Sequence, residues 1–165
     1  MDASMNKTDF VRLVHGSCSG EVDPIFITAQ AILESGWGAH AIGKYNLFGV
    51  KRGSWKGSYK LVNTREVLSH GKLVLTPPEK VLSCTPRPDG KFEYRCLMAF
   101  RDYSSMEEAL KDHEEVLKRF SGAWPFRKDG KRFVEELQAG KMKYATDPNY
   151  VKVIISLFTS VTKRL

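Results

Sequence analysis

Between residues 24 and 36 apolar side chains recur at helical spacing on both sides of the helix axis. At about 100° per residue, Ile25, Phe26, Ala29, Ile32 and Leu33 share one face, and Ile27, Gln30 and Ala31 occupy the other. A helix apolar nearly all round is a buried helix. Its limits are written beside it. Asp23-Pro24 offers a capping carboxylate followed by proline at the first helical position, and Gly36 offers the left-handed residue that ends helices. From Pro24 to Gly43 the only charged side chain, with histidine neutral, is Glu34.

The pattern on either side divides the chain. Phe10, Val11, Leu13 and Val14 predict a short packing helix over 6–16. After Ser54 the period changes, and Val, Thr, Tyr and Phe gather between Gly and Pro punctuation. Strands are expected at 58–62, 65–69, 72–76, 80–84 and 92–100; in the last, Phe92, Tyr94, Cys96, Met98 and Phe100 alternate with Glu93, Arg95, Leu97 and Ala99. Ser69–Lys72 and Pro88–Lys91 are turn sequences. Helical spacing returns behind a capping box at Ser104 and Glu107, with Met106, Ala109, Leu110, His113, Leu117 and Phe120 on one stripe. His113 in that stripe is expected as a hydrogen-bonded core residue, and Glu107, Glu108, Glu114 and Glu115 as the solvated face. Residues 130–139 predict a helix ended by Gly140. Thr146 or Asp147, ahead of Pro148, is expected to cap a final helix burying Val151, Ile154, Ile155 and Phe158. A helical body interrupted by one run of strands is an α+β fold: a mostly helical lobe and a small antiparallel β lobe over about 54–100.

Length and composition fit one domain over 1–165. At 165 residues, 42% hydrophobic and 27% charged, the chain can bury a core without staples. No run approaches the roughly 20 apolar residues of a membrane span. Met1–Lys7 is polar and lacks the apolar segment of a signal peptide. That leaves a trimmed export signal, or release by lysis or another route. Cys18, Cys84 and Cys96 have no zinc-type spacing and no partnered histidines, so no metal site is expected. Cys84 and Cys96 flank the 88–90 turn almost symmetrically; they are expected either to face each other across a hairpin or to pack as small apolar residues. The net charge of +7 favours an anionic partner such as an acidic wall or phosphate-bearing polymer, with plain solubility as the alternative. Its 26 Lys and Arg are dispersed and match no nucleic-acid motif, so nucleic acid is not expected.

A carboxylate on an apolar helix has two readings. Desolvation raises its pKa, as a general acid working near neutral pH requires. Alternatively, Glu34 sits in the last turn and reaches solvent past Gly36.

Ala29-Gln30-Ala31-Ile32-Leu33-Glu34-Ser35-Gly36-Trp37-Gly38, followed by Tyr45-Asn46-Leu47-Phe48-Gly49-Val50-Lys51, resembles the signature of the glucosaminidase family of peptidoglycan hydrolases, the family 73 glycoside hydrolases of flagellar-rod, autolysin and phage endolysin type. Phe100–Ser105 and Tyr144–Tyr150 are similar to later blocks of that family, in the same order, so the resemblance runs from about Phe10 to the C-terminus. It implies a lysozyme-like fold, peptidoglycan glycan strands as substrate, no cofactor, and a monomer acting on the bacterial wall, in the periplasm or outside the cell. The expected bond is the β-1,4 link from N-acetylglucosamine to N-acetylmuramic acid. A lytic transglycosylase or muramidase cutting the same glycan is the nearest alternative, and a catalytically silent wall-binding module the alternative from another class.

The resemblance also implies roles. Glu34 is the catalytic acid, Glu66 in Asn63-Thr64-Arg65-Glu66 matches the family's second carboxylate, and Tyr144 lines the cleft beside the acid. The second carboxylate activates water, attacks C1, or orients a substrate N-acetyl group; Glu79 and Glu93 stand next in line for it. Trp37, Asn46, Phe48 and Tyr150 complete the candidate substrate-binding set, each with a packing alternative. The stretch from about Thr76 to Gly90, with four prolines, looks like an insertion relative to the family.

Overall fold

The computed structural model describes residues 5–165, so the first four residues of the polar start lie outside the described residues. The chain runs α1 (Lys7–Ser17), α2 (Pro24–Ser35), β1 (Tyr59–Leu68), β2 (Lys80–Pro86), β3 (Phe92–Arg101), α3 (Met106–Lys118), a 3-10 turn (Trp124–Phe126), α4 (Gly130–Ala139) and α5 (Tyr150–Thr162). The architecture is α+β: helices around α2, with a three-stranded antiparallel sheet of order β1-β3-β2 beside them.

α2 is the buried helix its pattern predicts. Phe26, Ile27, Thr28, Ala29, Gln30, Ala31 and Ile32 are all buried, on every side. α5 covers it most extensively, with α1 and α4 on other sides. Phe26 meets Phe133 of α4 edge-on, ring centres 5.0 Å apart. Each such fully buried large side chain contributes about 1.5–3 kcal/mol. Asp23 holds the helix start with both oxygens: Oδ1 accepts the Ile25 N–H at 3.0 Å, and Oδ2 accepts the Gly130 N–H at 2.9 Å. One carboxylate therefore caps α2 and ties down the first residue of α4. A Cβ on Gly130 would lie 2.8 Å from that oxygen, so a side chain there would push the Asp23 carboxylate out of place.

The sheet differs from expectation in two places. The strands expected at 58–62 and 65–69 form one unbroken β1, because every residue from Tyr59 to Leu68 finds a β3 partner. The segment 72–76 is not a strand; Tyr94 from β3 donates its hydroxyl to the His70 carbonyl (2.8 Å) and accepts the Leu73 N–H (3.2 Å), which pins 70–73 beneath the buried face of β3. The proline-rich stretch 76–90 supplies the edge strand β2, and Glu79 Oε2 accepts the Ala99 N–H at 3.0 Å just before it. Cys84 lies opposite Tyr94, and Cys96 opposite Val81 and Thr64, so the two cysteines are not cross-strand partners; both thiols are free.

Three local expectations shift. The α3 cap is Ser105, whose side chain accepts the Glu108 N–H, while Glu108 returns a bond to the Ser104 N–H at 3.0 Å: the box sits one residue later than Ser104 and Glu107. Glu114 is buried rather than solvated, accepting the Ser19 hydroxyl at 2.5 Å. α5 begins at Tyr150 with no side-chain cap; Asp147 Oδ1 accepts the Asn149 N–H in the preceding turn. Ile154 of the expected inward face is fully buried, and Val151, Ile155 and Phe158 pack partly buried against the core.

Candidate active site

Glu34 ends α2 one residue before its last, and the turn beyond is tightly wound. Gly36, Trp37 and Gly38 all have positive φ (58°, 60° and 87°), a conformation glycine takes freely and tryptophan rarely. Packing holds Trp37 there. Its ring lies edge-on to Phe10 at 6.4 Å, with Lys7 and Arg164 over it at 4.7 and 5.1 Å. Trp37 thus joins both ends of the chain to the turn that presents Glu34.

The Glu34 carboxylate points to Tyr144, whose hydroxyl donates to Oε1 at 3.1 Å and lies 3.3 Å from Oε2. Two properties of Glu34 pull apart. The residue is exposed, yet the protein atoms crowding its carboxylate push its pKa up to about 7, against the lowering effect of the Tyr144 bond. Exposure says that a substrate reaches the group; crowding says that the ionised form is poorly solvated there.

Behind this pair lies a buried polar cluster from three helices. Gln30 of α2 donates its amide to the Tyr150 hydroxyl at 2.9 Å, and its carbonyl oxygen lies 2.8 Å from His113 Nε2. His113 is fully buried, its pKa pushed down to about 3 by burial, so it is neutral. Phe48 stacks on its imidazole, 3.7 Å between ring centres and 7° from parallel. The Tyr144 ring packs against Tyr150 (5.7 Å), Phe120 (5.7 Å) and His113 (6.3 Å). Burial, then the Glu34 charge, raises both phenols above their ordinary pKa, so both stay protonated as donors.

Of the predicted site residues, Glu34, Tyr144, Tyr150 and Phe48 therefore share one cluster. Asn46 is placed differently. Its amide donates to the Val50 and Arg101 carbonyls (3.0 and 2.9 Å) and accepts the Val50 N–H, which fastens loop 46–50 to the end of β3. Glu66 lies on β1, opposite Tyr94, with Lys51 Nζ at 3.9 Å. The other two β-lobe candidates are engaged: Glu93 bonds Arg65 at 2.7 Å and lies 3.8 Å from Arg87, and Glu79 accepts the Ala99 N–H. Gln30 was not among the predicted site residues. Its signal was present, since an amide on an otherwise apolar buried helix must find partners. Among the described residues no cluster of three His, Cys, Asp or Glu is placed to hold a metal, and no helix is long and apolar enough to cross a membrane.

The family model described as "Glucosaminidase: Mannosyl-glycoprotein endo-beta-N-acetylglucosaminidase" matches residues 17–163. The chain belongs to the glucosaminidase family. This glucosaminidase domain is 32% identical to the peptidoglycan hydrolase FlgJ of Pseudomonas aeruginosa over 82% of its own length and 31% of the relative's. It is 30% identical to a probable N-acetylmuramidase of Lactococcus lactis subsp. lactis, over 91% of its length and 33% of that protein's. It therefore spans about a third of these two curated relatives. Among solved structures, a C-terminally truncated glycoside hydrolase domain of Salmonella typhimurium FlgJ superposes with a TM-score of 0.68 at 30% identity, covering 96% of this chain and 99% of that one. The glucosaminidase domain thus shares the lysozyme-like fold of that glycoside hydrolase domain.

Proposed function

We propose that this domain hydrolyses peptidoglycan glycan strands at the β-1,4 bond from N-acetylglucosamine to N-acetylmuramic acid, acting as a monomer at the bacterial wall. The observation that carries the reading is Glu34, an accessible carboxyl whose crowded setting lifts its pKa to about 7 and whose oxygens face a phenol donor. An acid matched to neutral pH is what protonation of a glycosidic oxygen requires. Glu34 gives its proton to the leaving oxygen as the bond to C1 breaks. Tyr144 orients the sugar on the C1 side and keeps the Glu34 carboxylate bonded once its proton has gone. Glu66, whose only ionic contact among the described residues is Lys51 at 3.9 Å, activates the attacking water or steadies the substrate N-acetyl group. Phe48 and Tyr150 shape the wall of the cluster, and no cofactor enters the reaction.

Digestion of purified sacculi with mass spectrometry of the new ends tests this. New reducing N-acetylglucosamine is expected. Reducing N-acetylmuramic acid would make the enzyme a muramidase, a 1,6-anhydro end a lytic transglycosylase, and retained binding without cleavage a wall-binding module.

A further inference from the structure

We infer that Gln138 is a positioning residue: its side-chain amide clamps the main chain at Ala145 and so holds the Tyr144 hydroxyl on Glu34. The inference rests on Glu34 and Tyr144 as the reacting pair and concerns a side chain that acts one residue away from them. Residues 140–149 form neither helix nor strand, and residues 140–143 are all exposed, so regular structure does not place Tyr144. Packing against Tyr150, Phe120 and His113 limits where its ring lies, but apolar contact is non-directional and lets a ring slide. The directional bonds come from α4. The Leu137 carbonyl, one of the last four that a helix leaves without an internal partner, accepts the Tyr144 N–H at 3.1 Å. Gln138 adds two bonds: its Nε2 donates to the Ala145 carbonyl at 2.9 Å, and its Oε1 accepts the Ala145 N–H at 2.9 Å. One amide thus pairs with both polar groups of one residue, as a neighbouring antiparallel strand would. Consecutive residues of one helix hold Tyr144 and Ala145 at three points.

That helix is a fixed base. Phe133, Val134 and Leu137 are fully buried, and Asp23 Oδ2 accepts the Gly130 N–H at its start. The same carboxylate caps α2 through Ile25, so the two helices leave from one point. They meet again at their far ends, where Tyr144, tied to α4, reaches Glu34 one residue before the end of α2. A frame closed at both ends fixes the gap between phenol and carboxylate, and Gln138 is the corner that one substitution opens. The titratable groups facing it come from several elements. Protonated Tyr150 of α5 and neutral His113 of α3 lie against the Tyr144 ring. Lys7 of α1 and Arg164 lie over Trp37, three residues beyond Glu34, and Lys143 and Asp147 line a small surface cavity beside Gln138.

The test is a double-mutant cycle. Gln138→Met keeps the length of the side chain and loses both bonds, and Tyr144→Phe loses only the hydroxyl. The cycle is read first without substrate, by carbon NMR titration of the Glu34 carboxyl in labelled protein. A hydroxyl aimed at a carboxylate favours the ionised form, so Tyr144→Phe should raise the Glu34 pKa by about half a unit or more. Gln138→Met should raise it in the same direction by less, and should add nothing once the hydroxyl is gone. On sacculi, Gln138→Met should lower kcat by about 3-fold or more with KM within about 2-fold of the parent, because a misplaced group costs rate. In the Tyr144→Phe background that further loss should vanish. Should Gln138→Met not fold, Gln138→Glu carries the test, since it keeps the acceptor for the Ala145 N–H and loses the donor. An unchanged Glu34 titration in the folded variant, or effects that simply add across the cycle, overturn the inference. Titration needs no substrate, so a coupled cycle in a protein that never cleaves glycan would sink the proposed function and leave this inference standing.

Discussion

Glu34 carries its cost and its chemistry in the same crowding. Its folded pKa of about 7 stands above the ordinary 4.5, so the native state binds more protons than the unfolded chain between those values. Any stability this protonation confers is full below about 4.5 and is lost as pH rises through about 7. Glu34→Gln cannot ionise, so its melting temperature should gain on the parent as pH climbs from 4.5 to 7, modestly, because the carboxylate is exposed and screened. Turnover should fall by about 10²-fold or more at every pH. Parallel melting curves, or near-parental turnover, would remove Glu34 from its role. Glu66→Gln is expected to lose most turnover while retaining binding to sacculi; an unchanged rate would leave the substrate N-acetyl group without need of it. Glu34 draws attention in the sequence because it is the one charge on a contiguous apolar helix, whereas Glu66 is singled out only through the family resemblance. Gln30 was harder to see, because its partners Tyr150 and His113 lie 120 and 83 positions away.

At the scale of elements, legibility followed locality. The limits of α2 and α4 could be read from Asp23-Pro24, Gly36 and Gly140, since caps depend on neighbours in sequence. The segment 72–76 could not, because what keeps it out of the sheet is the Tyr94 hydroxyl, some 20 residues on. Two superficially similar Asp-Pro starts illustrate the difference. Asp23 is half-buried and satisfies the Ile25 and Gly130 N–H groups, so Asp23→Ala should cost about 1 kcal/mol for the cap, and about 1–3 kcal/mol more where Gly130 loses its acceptor. Among the described residues the Asp147 side chain serves only the exposed Asn149 N–H, and Asp147→Ala should stay within about 0.5 kcal/mol. Chemical denaturation of both variants checks the contrast; equal losses would mean that the second oxygen of Asp23 contributes nothing. Because α2 and α4 share that carboxylate, loosening it should also disturb the helix that presents Glu34.

Charge is organised at the scale of the whole molecule. Residues 54–101 hold nine of the 26 Lys and Arg but only four of the 19 Asp and Glu, so the β lobe accounts for most of the net charge of +7. Within the sheet Arg65 lies directly opposite Arg95, a like-charge pairing that weakens a sheet. Glu93 relieves Arg65 at 2.7 Å, whereas Arg95 is exposed and forms no ion pair among the described residues. A fold that keeps such a pair on its solvent face presents an anion-attracting surface on the lobe that carries Glu66. Exposed charges act over about 8–10 Å near physiological ionic strength, so the attraction should fade as salt rises. On intact sacculi, kcat/KM should fall with salt while kcat holds. Lys80→Ser with Arg95→Ser should start lower at low salt, by about 3-fold, and show a flatter slope, as expected when steering rather than chemistry is lost. Its melting temperature should not drop, since relieving Arg65 offsets whatever packing the arginine stem supplied. An uncharged chitooligosaccharide provides the control and should show no salt dependence in either protein. If sacculi give the same flat profile as the oligosaccharide, the positive sheet face serves solubility alone, and capture of the wall depends on the cleft around Glu34 without help from the β lobe.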